Sequence, residues 1–424
     1  MTGYSKMSKP ELEAVKAQLQ KEYEAFQAKG LKLDMSRGKP GSDQLDLSTG
    51  ILGTVDENSG WNTQSGVDCR NYGVLDGIPE MKKLFADFFE VDTNEIIIGG
   101  NSSLNLMFDY VSQAMTHGTG AEPWMKQGNI KFLCPVPGYD RHFGILEYFG
   151  IEMINIDTLE DGPDMEAVEA YVKDPMVKGM ICVPKYTNPE GKTYNNKTVR
   201  RLAALKPAAK DFRIIWDNAY AVHDLTETPD GLLNLLEECK KTGNDDMPVM
   251  FASTSKISFP GAGVSAIAAS RNNVSAILKR MGMQTIGYDK LNQLRHVRYF
   301  KNLDGIRAQM KRHADIIAPK FQVVLDALEK ELAPLEIAQW VKPNGGYFIS
   351  LNVMDGCANR VVELCKRAGV VLTPAGATYP YGKDPKDRNI RIAPTYPPVE
   401  ELELAVSLLC LCTKLAAAEK LLAE

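Results

Sequence analysis

The chain has 424 residues, of which 44% are hydrophobic and 24% charged, as is usual for a globular protein with a large buried core. The formal net charge is −5 and no basic block occurs, which argues against a nucleic-acid surface. No stretch approaches about 18 apolar residues, and the segment Met1 to Lys9 has no apolar core. We therefore expect a cytoplasmic protein without a membrane span or secretory signal.

The eight cysteines contain no CxxC pair, and several lie in apolar runs. Buried reduced thiols are therefore expected rather than disulfides or a metal site. The five histidines are scattered, and no pair has the spacing of metal ligands. We therefore predict no metal site.

The N-terminal part predicts a helix followed by a loop. Apolar residues recur at steps of three and four over residues 9 to 29, and Gly30 follows as a stop. The loop that comes next is rich in turn formers, and its Gly38 and Gly41 suit a backbone that approaches another group closely.

From about residue 75, apolar runs of strand length alternate with helical patterns. Seven runs predict strands: Glu95–Ile98, Ile130–Leu133, Ile151–Ile154, Gly179–Val183, Phe212–Trp216, Val249–Ala252 and Val264–Ala268. Helices are predicted at Ser103–Met115, Met165–Val172 and Thr198–Lys210. This alternation predicts an α/β fold, with a mostly parallel seven-stranded sheet flanked by helices. Ligands of such sheets lie beyond the carboxyl ends of the strands.

After residue 300 the pattern changes. A long helix (Ala308–Leu332), a turn and strand after Trp340, a strand at Gly369–Thr373 and a terminal helix from Val399 predict a smaller α+β domain. The predicted organisation is an N-terminal helix and arm at 1–48, a large domain at 49–300 and a C-terminal small domain at 301–424. The arm is expected to belong to the small domain.

Turns whose side chains or amide groups could bind a ligand follow several predicted strands. Gly100, Asn101 and Ser102 precede a helix, where free N–H groups suit a phosphate, although this motif taken alone favours a plain glycine turn with an N-cap. Tyr139 could stack on a flat ligand or simply pack. Asn188 lies in a common type of turn.

Two further strand ends carry charge. Asp217 directly follows an apolar strand, with Tyr220 three residues on; it is either a helix N-cap or a buried acid with a cationic partner. Lys256 follows Ser253 and Ser255, and a semi-buried amine there is either a nucleophile or a lysine that extends to solvent. The combined order suits pyridoxal 5′-phosphate, which needs a phosphate site, an acid for the ring nitrogen and an amine for the aldehyde.

With these motifs in this order, the chain resembles the fold-type I pyridoxal-phosphate enzymes, specifically the class I aminotransferases. It is most similar to the subgroup called type Ic aspartate aminotransferases, and the resemblance runs from about Met35 to Pro398. The resemblance implies a ping-pong, Schiff-base exchange of the amino group between an amino acid, aspartate, and a 2-oxo acid, 2-oxoglutarate. It also implies a homodimer with shared active sites.

The resemblance assigns a role to each candidate residue. Lys256 matches the Schiff-base lysine and proton carrier, Asp217 the acid at the ring nitrogen, and Tyr139 the stacking aromatic. Tyr220 and Asn188 match the groups that bind the ring hydroxyl. Arg391 matches the residue that binds the substrate α-carboxylate, Gly38 lies in the loop over the substrate, and Asn188 also contacts the substrate. Tyr72 matches a tyrosine that reaches the phosphate of the neighbouring subunit. The phosphate cup is matched by Gly100, Asn101, Ser102, Ser253 and Ser255.

Two points depart from this pattern or extend it. Family members carry an arginine after the lysine that pairs with the phosphate, whereas the turn here is Pro260-Gly-Ala-Gly263-Val264; Lys185 and Arg37 are candidate replacements. A side-chain carboxylate of the substrate needs a second cation, for which Arg295 and Arg298 are candidates, although both also suit a helix surface. The alternatives are a pyridoxal-phosphate lyase or decarboxylase, and a ligand-sensing protein without catalysis.

Overall fold

The computed structural model describes residues 3–424. The helices in this range are α1 (Lys9–Gln27), α2 (Ser42–Asp46), α3 (Pro79–Phe89), α4 (Ser103–His117), α5 (Asp140–Tyr148), α6 (Met165–Tyr171), α7 (Asn196–Ala203), α8 (Leu235–Thr242), α9 (Arg271–Gln284), α10 (Lys290–Phe300), α11 (Leu303–Glu331), α12 (Ala358–Arg367) and α13 (Val399–Ala423). The strands are β1 (Leu33–Asp34), β2 (Ile96–Ile98), β3 (Lys131–Val136), β4 (Glu152–Leu159), β5 (Gly162–Pro163), β6 (Val177–Cys182), β7 (Arg213–Asp217), β8 (Pro248–Ser253), β9 (Ser265–Ala269), β10 (Ala338–Trp340), β11 (Ile349–Val353), β12 (Val370–Val371) and β13 (Asn389–Ile392).

The large sheet confirms the predicted fold class. Its strand order is β2-β9-β8-β7-β6-β3-β4-β5, and the five strands from β8 to β4 run parallel. All seven predicted strands are present. The eighth, β5, is a two-residue antiparallel partner of β4, too short to leave a periodic pattern. Strands β6 and β7 are buried along their whole length, as expected for a sheet covered on both faces.

The direction of the strands decides where ligands can bind. Strands β3, β4, β6, β7 and β8 all end at one edge of the sheet, and the antiparallel β9 begins there, because Ser265 is in register with Ser253 at the end of β8. The turn after β2 reaches the same edge, where the Gly100 carbonyl accepts a 2.8 Å hydrogen bond from the Ser265 hydroxyl. This edge therefore gathers the turns singled out in the sequence.

The two ends of the chain form a second α+β unit. Helix α1 packs on α13 and α12; the Tyr23 hydroxyl donates to the Leu364 carbonyl at 2.8 Å, and β1 pairs with β12. Strands β10, β11 and β13 form a separate antiparallel sheet. Helix α11 joins the two units, because Ile306 packs in the core under the large sheet and Leu328 in the core of the terminal unit. The domain boundaries at residues 48/49 and 300/301 stay a prediction.

Some element boundaries differ from the prediction. The helix expected at Thr198–Lys210 ends at Ala203, whose carbonyl accepts bonds from the side chains of Thr242 and Asn244 at 2.6 and 2.8 Å. These caps and Pro207 stop the helix. Helix α11 begins one turn earlier than expected, at Leu303, because the Asn302 side chain accepts from the Gly305 amide at 3.0 Å.

The strand expected at Gly369–Thr373 shortens to Val370–Val371, since it pairs only with the two-residue β1. All eight cysteines are buried and free, which confirms the prediction of reduced thiols. Within residues 3–424, no helix is both long and apolar enough to cross a membrane.

Candidate active site

A cavity lies at the carboxyl edge of the large sheet. Eight of the residues proposed from the sequence line it: Ser102, Tyr139, Asn188, Asp217, Tyr220, Ser253, Ser255 and Lys256. They come from the turns after five different strands, so only the parallel arrangement brings them together. Ser103, Leu104, Met107, Val183 and Ala219 complete the lining.

Asp217 ends β7 and is 2% exposed. Its Oδ2 lies 3.0 Å from Nε2 of His142. Its Oδ1 is buried and has no hydrogen-bond partner among residues 3–424. Because a buried carboxylate oxygen is costly without a donor, this atom marks a position where a ligand N–H fits.

Lys256 lies in the turn after β8 and faces aromatic rings rather than acids. Its Nζ is 4.9 Å from the ring centre of Tyr220 and 5.6 Å from that of Tyr347. Burial raises the pKa of both tyrosines, so both stay neutral hydroxyls at physiological pH. In the part of the chain that the structure describes, this amine forms no ion pair, which leaves it available as a nucleophile.

One side of the cavity is rich in hydroxyls. Ser102 is the N-cap of α4 and Ser103 its first residue, so unpaired amide groups of this helix face the same region. Across from them, Ser253 Oγ donates to Ser255 Oγ at 3.0 Å, and Ser255 Oγ donates to the Asn101 carbonyl at 2.9 Å. Hydroxyls and a helix N-terminus together suit a phosphate.

Gly100 and Asn101 shape this region without lining the cavity. The Asn101 side chain donates to the Pro260 carbonyl at 3.2 Å and is largely exposed. A side chain at Gly100 would lie 3.4 Å from the Tyr288 ring, which is ordinary contact. The Asn101 side chain therefore braces the turn, and neither residue is part of the cavity lining.

The expected phosphate-binding arginine has no counterpart in the turn after Lys256. A Cβ at Gly263 would come within 3.1 Å of the Asn101 carbonyl, and Val264 is 2% exposed, so neither position offers room for a cation in the cavity. Of the two candidate replacements, Lys185 donates to Asp224 at 2.9 Å and to the Ala221 carbonyl at 3.0 Å, and Arg37 is exposed. Neither lines this cavity.

Arg391, on β13 of the terminal sheet, reaches the site from the other unit. It is 6% exposed, and its guanidinium carbon lies 4.8 Å from the centre of the Phe348 ring. Its Nη1 donates to Asp140 Oδ1 at 2.8 Å and to Asn188 Oδ1 at 3.3 Å. Gly38 packs against the same Phe348, where a Cβ would come within 2.5 Å of the ring.

Three further sequence candidates do not line the cavity. Tyr72 is 84% exposed. Arg298 donates to the carbonyls of Thr54 and Gly60, both at 3.0 Å, and so braces a loop. Arg295 is half-buried, and its Nε is buried without a partner within residues 3–424.

Sequence analysis missed Ser103, Asp140 and His142. The scattered spacing of the histidines gives no sign of a role for them, yet His142 Nε2 lies 3.0 Å from Asp217 Oδ2. One signal was available: His142 follows Tyr139 by three residues at a helix start, so both lie on one helical face. The two rings are in edge contact, with centres 4.9 Å apart.

The fold is the pyridoxal-phosphate transferase fold, which the structures of other aminotransferases share. The structure matches that of LysN, an α-aminoadipate aminotransferase from Thermus thermophilus, with a TM-score of 0.73 at 18% identity, over 92% of this chain and 93% of that one. Aminotransferases of this fold generally depend on pyridoxal 5′-phosphate.

The family follows from the sequence over nearly the whole length. Residues 7–424 match the family model described as aspartate amino-transferase, and the chain belongs to this family. An aspartate aminotransferase of Corynebacterium glutamicum is 46% identical over 403 residues, which is 95% of this chain and 93% of that protein. The crystal structure of an aspartate transaminase from the same species has a TM-score of 0.95 at 45% identity, with 97% of both chains covered. These findings support a transaminase over a lyase, a decarboxylase or a non-catalytic sensor.

Proposed function

We propose that the protein is a pyridoxal 5′-phosphate-dependent aspartate aminotransferase that exchanges the amino group between aspartate and 2-oxoglutarate. The observation that carries the cofactor assignment is the pair of unsatisfied groups in one cavity: the buried Oδ1 of Asp217 and the unpaired amine of Lys256. A ring N–H would satisfy the first, and an aldehyde would react with the second. The family membership and the relatives from Corynebacterium glutamicum support aspartate as substrate.

The residues fit the cofactor along its whole length. Ser102, Ser103, Ser253, Ser255 and the amides that begin α4 would hold the phosphate without a guanidinium, by hydroxyl bonds and the helix dipole. Asp217 would hold the ring nitrogen, with His142 fixing the other carboxylate oxygen. LysN, which shares the fold, was crystallised with N-(5′-phosphopyridoxyl)-L-leucine.

When bound, the cofactor supplies an aldehyde for amine exchange and a ring that accepts electrons from the substrate Cα. The chain's own residues orient and move protons. Lys256 would carry the proton between the two carbons that exchange hydrogen, since its amine lies against the Tyr220 ring and forms no ion pair within residues 3–424. Tyr139 would cover one ring face, and burial raises its pKa to about 12, so it remains neutral.

Arg391 would bind the α-carboxylate shared by the amino acid and the 2-oxo acid, a task that suits a planar guanidinium. Asn188 would contact the same carboxylate or the ring hydroxyl. For the second carboxylate of aspartate, Arg295 is a better candidate than Arg298, because Arg298 already uses its donors on backbone carbonyls.

An absorbance titration tests this proposal. The purified protein supplied with pyridoxal phosphate should show a visible band that aspartate and glutamate shift, while alanine and aromatic amino acids shift it weakly. Reduction with borohydride before proteolysis should leave the pyridoxyl mass on the peptide that contains Lys256. A protein without a visible band or modified lysine would contradict the cofactor assignment, and a preference for uncharged side chains would contradict aspartate as substrate.

We also propose a cytoplasmic homodimer with shared sites. Tyr72, Met283 and Ile286 are 84%, 88% and 60% exposed, and Gly287 packs against the Gly73 carbonyl, so the two segments form one surface. Exposed apolar side chains in one patch favour a protein partner, and a second copy would bring Tyr72 toward its phosphate site. Sedimentation velocity should give a dimer, and Ile286→Lys should shift it toward monomer, whereas a monomeric wild type would contradict the proposal.

A further inference from the structure

Arg391, which is proposed to bind the substrate, already pairs with the carboxylate of Asp140. Asp140 is the first residue of α5 and directly follows Tyr139. Its Oδ1 accepts from Arg391 Nη1 at 2.8 Å, and the two residues are 251 positions apart in the chain. The Asp140 side chain is 35% exposed and that of Arg391 is 7% exposed, so the pair lies at the mouth of a buried site.

The geometry of the guanidinium decides what this pair can do. Asp140 and Asn188 both bind Nη1. The opposite edge of the fork, Nε with Nη2, has no partner within residues 3–424, and Nε is buried. That edge provides two parallel donors, which is the arrangement that binds a carboxylate bidentately. The ion pair therefore leaves the substrate-binding edge of Arg391 free.

We propose that Asp140 is a positioning residue for recognition of the substrate α-carboxylate, acting by fixing Arg391 through Nη1 so that the Nε–Nη2 edge faces the substrate. This role rests on the proposed function, in which Arg391 binds that carboxylate. Asp140 does not touch the substrate or the cofactor; it determines the direction in which the guanidinium points.

Two physical reasons make such a residue necessary here. A guanidinium on a side chain that is only 7% exposed is costly without an anion, so before substrate arrives Arg391 would otherwise turn toward solvent or another acid. The face of Arg391 against Phe348 fixes the plane of the group but not its rotation within that plane. A bond to one terminal nitrogen supplies the missing constraint.

The test is Asp140→Ala, measured with both half-reactions. Because the amino acid and the 2-oxo acid share the α-carboxylate, the KM for aspartate and the KM for 2-oxoglutarate should both rise about 10- to 100-fold, with a smaller change in kcat. Calorimetric titration with succinate, which binds without reacting, should show the same loss of affinity. The visible band of the bound cofactor should not change.

Three controls separate positioning from a general loss of structure. Asp140→Asn keeps an oxygen acceptor for Nη1 but not the negative charge, so it should lose clearly less affinity than Asp140→Ala. Glu147→Ala removes an exposed acid from the same helix that takes part in no ion pair within residues 3–424, and it should behave as wild type. Ethylamine has an amine but no carboxylate, so its rate of reaction with the loaded protein should be equal in wild type and Asp140→Ala.

Each contrary result has a separate meaning. An unchanged or lower KM in Asp140→Ala, a loss in Asp140→Asn as large as in Asp140→Ala, or an equal loss with ethylamine would overturn the positioning role. A wild-type protein that shows no reaction with aspartate and no visible band would instead overturn the proposed function itself.

Discussion

The two ends of strand β7 each have a buried aspartate with a lysine from a neighbouring segment. At the amino end, Asp211 accepts from Lys178 at 3.0 Å through Oδ1, and from Trp124 and Gln127 at 3.0 and 2.8 Å through Oδ2. At the carboxyl end, Asp217 has a contact from His142 on Oδ2 and none on Oδ1 within residues 3–424. Lys256 lies against tyrosine rings instead of pairing with it.

The two ends of β7 thus use an aspartate and a lysine for different purposes. Every oxygen of Asp211 is satisfied by the protein, as is usual for a buried charge with a structural role. The carboxyl end keeps an oxygen of Asp217 and the amine of Lys256 in one cavity without a partner for either among residues 3–424, which costs stability. Such a cost at the ligand-binding edge of the fold agrees with the proposed use of these two groups in binding and chemistry.

Changing the two lysines should give the largest effects, on activity for Lys256 and on stability for Lys178. Lys256→Ala should abolish the visible band and lower the transamination rate by at least about 10²- to 10⁴-fold, because acid–base transfer is lost. Lys178→Ala should leave both unchanged but lower the free energy of unfolding by about 3 kcal/mol, since it breaks a buried ion pair. Spectra, steady-state rates and urea unfolding measure the three quantities.

A loss of stability in Lys256→Ala as large as in Lys178→Ala would remove the distinction between the two ends. An active Lys256→Ala variant would place the chemistry elsewhere.

Changing the two aspartates should give smaller effects, one on cofactor affinity and the other on stability. Asp217→Asn should weaken cofactor binding about 10- to 100-fold, because a charged hydrogen bond to the ring nitrogen is lost, without lowering the stability of the cofactor-free protein. Asp211→Asn should lower stability by leaving Lys178 without its anion, and should not change cofactor affinity. Cofactor titration and urea unfolding of the same preparations measure both; equal effects of the two variants on cofactor affinity would contradict the comparison.

The sequence was informative about residues whose position is determined by the end of a single strand. Asp217 and Lys256 could be located because each directly follows an apolar run, and parallel strands bring their carboxyl ends to one edge. For the same reason, the seven strands could be predicted without knowledge of their order.

Contacts between distant segments could not be predicted in this way. The pairing of Asp140 with Arg391 requires the terminal sheet to meet α5, across 251 residues, and no local pattern records that meeting. The end of α7 depends on side chains of Thr242, the last residue of α8, and of Asn244 just after it, and the two-residue β5 leaves no periodicity. The direction in which Lys185 points likewise depends on Asp224, which belongs to another turn.

The smallest predicted effect concerns the support of the Lys256 turn. The Ser258 hydroxyl, two residues after Lys256, lies 2.7 Å from Nε2 of His296, and His296 Nδ1 lies 2.8 Å from the Asn292 carbonyl. Since only a ring N–H can bind a carbonyl, Nδ1 donates and Nε2 accepts from Ser258. The Lys256 turn at the carboxyl end of the sheet therefore depends on a neutral histidine, whereas Asp211 and Lys178 at the amino end of β7 form a charged pair.

Burial lowers the pKa of His296 to about 4. An unfolded histidine has a pKa of about 6.5, so below that value the unfolded state binds the proton more readily, and stability falls as the pH drops from about 6.5 toward 4. At about pH 5.5 the loss from this one group is about 1.4 kcal/mol. His296→Gln, whose amide can also donate and accept, should lose less stability than wild type between about pH 7.5 and 5.5 in urea unfolding. Burial also lowers the pKa of His223 and His313, so both proteins keep a common acid sensitivity, and only the difference between their slopes reports on His296. Parallel slopes would mean that protonation of His296 does not weaken the turn that holds Lys256.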